Sequence, residues 1–437
     1  MPAKGGAALV TSVRPPRPGV PASGDGVRAD TPPGPGHAPD VLVIGGGIIG
    51  LVVARRAAER GLRVTVLDPE PAGGAARVAA GMLAAVTELH HGEEELLELN
   101  LASAALWPAF ADELAEAAGL PDGSALGYRR GGTLAVALDA DDRAELRDLH
   151  ALQTRCGLEA RWLTGRECRR LEPMLAPGVR GGLRVDGDHQ VDPRRVLDAL
   201  LVAAERAGVT FTRREARGPW IRSGRAVGAV LDDGTLLAAG RVVLAAGSRN
   251  GLLEGVPEGL LPPVRPVKGQ VLRLRMPGGI PFLSRTVRAV VRGSHVYLVP
   301  RASGELVIGA TSEEQGWDTT VTAGGVYELL RDAHELVPGL TELPLVESTA
   351  GLRPGTPDNA PLLGGTGVPG LLIAGGHYRN GVLLAPITGD LMAEYLVTGL
   401  LPERARPFSP GRFAPVGAGV PGSRAAHDSV PPIEEGV

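Results

Sequence analysis

Gly45, Gly47 and Gly50, followed by the acid Asp68, are the residues of this sequence whose types and spacing could do chemistry. In a GxGxxG turn the first glycine permits the sharp bend from strand to helix. The second lets backbone approach a pyrophosphate, and the third lets the helix pack close to the strand. An anion would then rest on the helix N-terminus. An acid about 20 residues further on accepts hydrogen bonds from an adenosine ribose, and Asp68 stands close to that distance. A chain with 63 glycines can produce the spacing by chance, so the flanking elements decide. The β-branched run that opens VLVIGGGIIG at Val41 reads as a buried parallel strand. Ala54, Ala57 and Ala58 recur at helical spacing between Leu51 and Arg60, and Gly61 stops that helix. Leu62 to Leu67 alternates as a second strand and ends at Asp68. Together these make a complete βαβ unit.

The rest of the chain must position that turn. With 437 residues and 43% hydrophobic content it can bury a large core, and its length suggests two or three domains. A net charge of −4 gives no electrostatic argument for nucleic acid or an anionic membrane surface. Cys156 and Cys168 are the only cysteines, which excludes a disulfide framework and suggests a reducing, cytoplasmic compartment. No metal-ligand spacing is present. The Pro/Gly-rich stretches 1–38 and 404–437 read as disordered tails without a secretory signal, and no segment reaches the length of a membrane span.

Between the tails, Val78 to Val86 is wholly apolar and should lie against something flat. The segment from Glu93 to Leu120 is helical in one piece or two, with a bend at Pro108. Asp192 and Pro193 open a helix as N-cap and first residue. Arg241 to Gly247 repeats the strand-then-small-residue pattern of the first unit, after a hairpin signal at Asp232-Asp233-Gly234. Val264 to Ala310 alternates as an antiparallel sheet. The predicted fold class is α/β: a Rossmann-like nucleotide domain built from discontinuous segments 39–88, 180–255 and 346–403, with an α+β substrate domain, 89–179 and 256–345, carrying the antiparallel sheet.

In order along the chain, VLVIGGGIIG with VAAGML, VVLAAGS, YLVPRASGELVIGAT, GLRPGTPDNAPLLG and GGHYRNGVLLAP resemble the motifs of FAD-dependent amino acid oxidases of the D-amino acid oxidase superfamily. The likeness is greatest to the glycine oxidases of thiamine biosynthesis and covers nearly everything from Asp40 to Leu401. It implies non-covalent FAD, met by Gly45, Gly47, Ile48, Ile49 and Gly50 at the pyrophosphate and by Asp68 and Pro69 at the ribose. Ala80, Gly81 and Met82 would meet the flavin ring. The turn His377, Tyr378, Arg379, Asn380, Gly381, Val382 and Leu383 would meet its other edge. Arg353 and Arg379 match positions that hold the substrate carboxylate, and Tyr297 matches a tyrosine lining that pocket. A planar guanidinium fork binds a carboxylate bidentately and fixes Cα for hydride transfer. The flavin carries the chemistry, so no catalytic triad or metal is required. From the residues alone, Arg353 also reads as a turn-stabilising arginine, Arg379 as a flavin contact, Tyr297 as core packing, and His377 as a packing residue.

Two departures from the family pattern stand out. The loop that usually offers hydroxyls reads Gly73 to Val78, which leaves backbone N–H groups, Ala75 and Ala76 among them and aided by Arg77, to meet the phosphates. Asp68 replaces the usual Glu, one methylene longer. The resemblance implies oxidation of glycine with O₂ to glyoxylate, ammonia and hydrogen peroxide through an imine, in the cytoplasm. A homo-oligomer is expected, with thiazole synthase as the expected protein partner and neither nucleic acid nor membrane involved. A sarcosine or D-amino acid oxidase or dehydrogenase, and a flavin-binding subunit without turnover, stay open as alternatives.

Overall fold

The structure, a computed structural model, describes residues 38–278 and 282–413. The tail expected at 1–38 lies outside the described residues except for Ala38, and so do residues 414–437. The first sheet has six strands in the order β18-β19-β12-β1-β2-β8. These are β1 (Val41–Ile44), β2 (Val64–Leu67), β8 (Thr210–Thr212), β12 (Arg241–Leu244), β18 (Leu362–Gly365) and β19 (Leu371–Gly375). All neighbours run parallel except β18 and β19.

β1 is buried on both faces, which is why it reads as a continuous apolar run. Val41 and Val43 face a core shared with helices α1 (Ile48–Glu59), α2 (Glu94–Ala118), α5 (Pro193–Arg206) and α7 (Ala385–Thr398). Leu42 and Ile44 face the other way, toward a three-stranded meander of β9 (Ala216–Arg222), β10 (Arg225–Leu231) and β11 (Leu236–Ala238). Asp192 caps α5 by accepting from the Arg194 N–H, with Pro193 in the first turn. α2 runs unbroken through Pro108 as a single helix of 25 residues.

The second sheet has eight strands in the order β17-β13-β16-β15-β14-β4-β6-β5. They are β4 (Thr133–Ala137), β5 (Arg161–Thr164), β6 (Gly181–Val185), β13 (Arg265–Arg275), β14 (Thr286–Val291), β15 (Ser294–Pro300), β16 (Glu305–Gly309) and β17 (Leu345–Gly355). Every pair is antiparallel except β14 with β4. One face, with Leu272, Val287, Leu298 and Ile308, packs on α6 (Ala323–Leu336). The opposite face, with Val271, Val299, Val307 and Tyr297, packs on Val78, Ala80 and Met82. The flat partner expected for that apolar stretch is therefore this sheet. A short ribbon of β3 (Met82–Leu83) and β7 (His189–Gln190) lies between the two sheets in sequence, and α3 (Ala140–Arg155) and α4 (Gly165–Leu171) complete the fold. No helix among the described residues is long and apolar enough to cross a membrane.

Three elements cross the expected domain boundaries. α2, within 89–179, packs its apolar stripe into the core of the first sheet. β6, within 180–255, and β17, within 346–403 but for its first residue, hydrogen-bond into the second sheet. The C-terminal stretch also begins later than expected. Residues 404–413 are packed, with Ala405 and Phe408 buried in the helical core and Arg412 paired to Asp358 at 2.8 Å. Arg412 also donates to the Ala360 and Pro361 carbonyls, so this stretch is held to the body of the fold despite its loose composition.

Candidate functional site

The β1–α1 turn has the shape its glycines require. Gly45 has φ +110°, and a Cβ there would lie 2.6 Å from the Ala245 carbonyl carbon. A Cβ on Gly50 would strike the Gly45 carbonyl oxygen. Gly47 differs: it caps α1, and a Cβ there would meet nothing within 4 Å. No side chain caps this helix and no acid occupies its first turn, so the N–H groups at Ile48 and Ile49 are left unclaimed by any side chain of the helix. Asp68, at the end of β2, accepts from the Gly46 N–H at 2.6 Å and from the Glu70 N–H at 2.7 Å, which aims its carboxylate at the same turn beside Pro69. A glycine cradle, an uncapped helix N-terminus and a flanking carboxylate fit the pyrophosphate and ribose of FAD.

Three arginines hold the segment after this turn. Arg194 donates to the Arg77 carbonyl at 3.0 Å, Arg273 to the Val78 carbonyl at 3.3 Å, and Arg301 to the Ala80 carbonyl. Burial lowers the Arg301 guanidinium to about 10. Ala75 and Ala76 form a short 3₁₀ turn just ahead. The Arg77 guanidinium expected near the phosphates is turned instead onto Asp198, at 2.5 Å. Gly81 has φ +73°, and its carbonyl accepts from the Val191 N–H at 2.9 Å.

The turn His377 to Leu383 is tied to both sheets. Tyr378 donates its N–H to the Pro354 carbonyl at 3.0 Å. The His377 ring is buried and stands 3.0 Å from the Thr388 hydroxyl. Burial lowers its imidazole to about 3, so it is neutral at ordinary pH. The Leu383 carbonyl accepts from the Ser103 hydroxyl at 2.6 Å and from the Trp107 indole N–H at 2.9 Å, both on α2. Asn380, Val382 and Leu383 are buried, and Gly381 lies between them in the turn.

Arg353 and Tyr297 are brought together by two glycines on the strands that separate them. Arg353 (β17) lies over Gly269 (β13), where a Cβ would sit 2.5 Å from the guanidinium carbon. Tyr297 (β15) lies over Gly309 (β16), where a Cβ would sit 2.5 Å from Cζ of the phenol. Each side chain leans across its glycine toward the other. Burial raises the Tyr297 phenol above its ordinary value, while the Arg353 charge pulls it back. Arg353 donates to the carbonyls of Thr311 at 3.2 Å and Lys268 at 3.4 Å. No carboxylate among the described residues pairs with it. Arg379 differs. Its Nη2 donates to Glu93 at 3.0 Å and its Nε stands 3.8 Å from Glu88, so its fork is already engaged.

Gly269, Glu88, Glu93 and Arg288, which pairs with Glu88 and stands opposite Tyr297, lie beside these residues and outside the quoted motifs, whereas Gly309 sits inside one without its role being apparent there. A glycine inside a strand is the one available signal, because it marks a close approach by another group. Among the described residues no group of His, Cys, Asp and Glu could hold a metal ion, and both cysteines are free.

Residues 40–395 match a family model described as FAD dependent oxidoreductase (DAO). The bifunctional protein ThiO/ThiG of Trichormus variabilis is 36% identical over 82% of this chain and 52% of its own length, so the chain spans about half of that relative. The glycine oxidase of Geobacillus kaustophilus is 38% identical over 82% of this chain and 93% of its own. A crystal structure of glycine oxidase from the same organism superposes with a TM-score of 0.77 at 36% identity, over 85% of this chain and 98% of the other. Iminodiacetate oxidase from a Chelativorans species follows at 0.75 and 28%, over 85% and 98%.

Proposed function

Since this chain belongs to the FAD dependent oxidoreductases of the DAO family and is an FAD-dependent amino acid oxidase, we propose that its substrate is glycine. Glycine loses two electrons and two protons across its Cα–N bond to give the imine, and water hydrolyses the imine to glyoxylate and ammonia. O₂ takes up the electrons and protons as hydrogen peroxide. When bound, FAD supplies the hydride acceptor that links the two half-reactions.

What the chain itself contributes is position. The observation that carries the proposal is the Arg353 fork, half-buried against Gly269 beside Tyr297 and matched by carbonyl oxygens but by no carboxylate among the described residues. A substrate carboxylate seated there gains two parallel charge-assisted bonds, which fix where Cα lies. The Tyr297 hydroxyl stands beside that seat with its proton held on, because burial keeps the phenol neutral. The segment Ala80 to Met82 packs on the same face of the sheet as Tyr297.

The ThiO/ThiG name of one relative supports a role upstream of thiazole synthesis, with thiazole synthase as the proposed partner, in the cytoplasm. The test is peroxide release measured with glycine, sarcosine, D-alanine and D-proline, with glyoxylate and ammonia identified as the products from glycine. Glycine should give the highest kcat/KM. A clear preference for sarcosine or a D-amino acid would overturn glycine as the substrate.

A further inference from the structure

Arg288 (β14) stands directly opposite Tyr297 on the same face of the sheet, which puts their Cβ atoms about 5 Å apart. Its guanidinium is bonded to the carboxylate of Glu88, six residues beyond Met82, with side-chain exposures of 17% and 12%. Burial pushes the Glu88 carboxyl up, but Arg288 and Arg379 outweigh it and hold it below the usual carboxylate range. Arg379 pairs in turn with Glu93. Asp188, near Arg288, spends its oxygens on the Val86 and Thr87 N–H groups and the Thr87 hydroxyl. His90 lies against Arg379, and burial followed by that charge disfavours its protonation. Of the three arginines on this wall, Arg288 and Arg379 each have a carboxylate, and Arg353 has none among the described residues.

We propose that the Arg288–Glu88 pair is the specificity-determining element of the amino acid pocket, holding it to substrates with a single carboxylate. This rests on the reading of Arg353 as the carboxylate anchor. With Arg288 cancelled by Glu88 and Arg379 by Glu93, Arg353 is, of these three arginines and among the described residues, the one left for an incoming anion. A second carboxylate on the substrate would have to displace Glu88 from a buried, charge-assisted bond and leave it without its partner, which is strongly disfavoured. Removing the Glu88 charge while keeping its shape frees Arg288 as a second anchor.

The experiment uses the full-length, FAD-loaded protein. In Glu88→Gln, kcat/KM for iminodiacetate and D-aspartate relative to glycine should rise about tenfold or more, the size of one charge-assisted hydrogen bond. Arg288→Gln acts in the opposite sense. It leaves the Glu88 charge beside the seat, so KM for glycine should rise about tenfold or more, while KM for glycine ethyl ester, which lacks the anion, changes less. A merely structural pair would move glycine and its ester together. An unchanged dicarboxylate-to-glycine ratio in Glu88→Gln overturns the proposal. If that variant does not hold FAD, parallel changes for glycine and its ester in Arg288→Gln overturn it. A wild-type protein that oxidises none of these compounds overturns instead the anchor reading on which the proposal rests.

Discussion

Gly269→Ala should disable the carboxylate seat without disturbing the fold. The methyl group would appear 2.5 Å from the Arg353 guanidinium carbon, closer than any ordinary contact. Gly269 has an ordinary strand conformation, and the atoms it would strike are the far end of a flexible side chain, so the arginine yields and the backbone does not. Reaching normal carbon–carbon separation of about 3.5 Å requires a displacement of about 1 Å. Moving a positioning group by 1 Å costs on the order of 100-fold in rate. Complete loss of the fork in Arg353→Ala sets the ceiling at about 2–5 kcal/mol, or roughly 30-fold to several-thousand-fold. We therefore expect kcat/KM for glycine to fall about 10- to 100-fold in Gly269→Ala, with the melting temperature and the flavin-to-protein ratio near wild type. The double variant Gly269→Ala/Arg353→Ala isolates the cause. If the methyl group acts through Arg353, the double variant should be no worse than Arg353→Ala alone. Additive losses, or a Gly269→Ala enzyme with normal turnover, would refute the idea that this glycine exists to seat the guanidinium.

Gly47→Ala should keep stability within about 1 kcal/mol, because its Cβ enters open space from a common backbone conformation, yet it should lower FAD content by crowding the pyrophosphate; normal flavin occupancy after purification would contradict that placement. His377 is neutral in the fold at about 3 against an ordinary value of 6.5, so the unfolded chain binds more protons between those values. Stability should therefore fall as pH drops through that window, by up to about 1.4 kcal/mol per pH unit. Urea titrations of His377→Gln should show a shallower acid slope than wild type, and an identical slope would count against the buried neutral histidine. Phe408→Ala should cost about 3–4 kcal/mol, because the ring is buried in the helical core, and thermal melts that match wild type would show the 403–408 turn to be dispensable.

Much of the fold was legible because its signals are local. The β1–α1–β2 unit carries its glycines, its helix stop and its acid within 28 residues, and the Asp192–Pro193 cap announces α5 in two. Arg353 and Tyr297 were legible through family motifs, but the reason they meet was not. It lies in Gly269 and Gly309, whose neighbours come from other strands of the sheet. The Arg288–Glu88 pair joins residues 200 apart in sequence, and neither sits in a motif. The destinations of β6, β17 and α2 were missed for a related reason: a strand's periodicity tells which face it buries, but not which sheet supplies its hydrogen bonds. Arg77 was expected near the phosphates, and Asp198 on the neighbouring helix claims it.

The central claim is that this chain seats glycine by its carboxylate on Arg353 for oxidation by FAD. Anaerobic addition of glycine to the FAD-loaded protein tests it most directly, with flavin absorbance followed in wild type and in Arg353→Ala. Glycine should bleach the wild-type flavin rapidly and bleach the flavin of Arg353→Ala at a rate lower by roughly 30-fold or more at the same subsaturating glycine. A wild-type flavin left yellow by glycine, or an Arg353→Ala flavin bleached as fast as wild type, would contradict it.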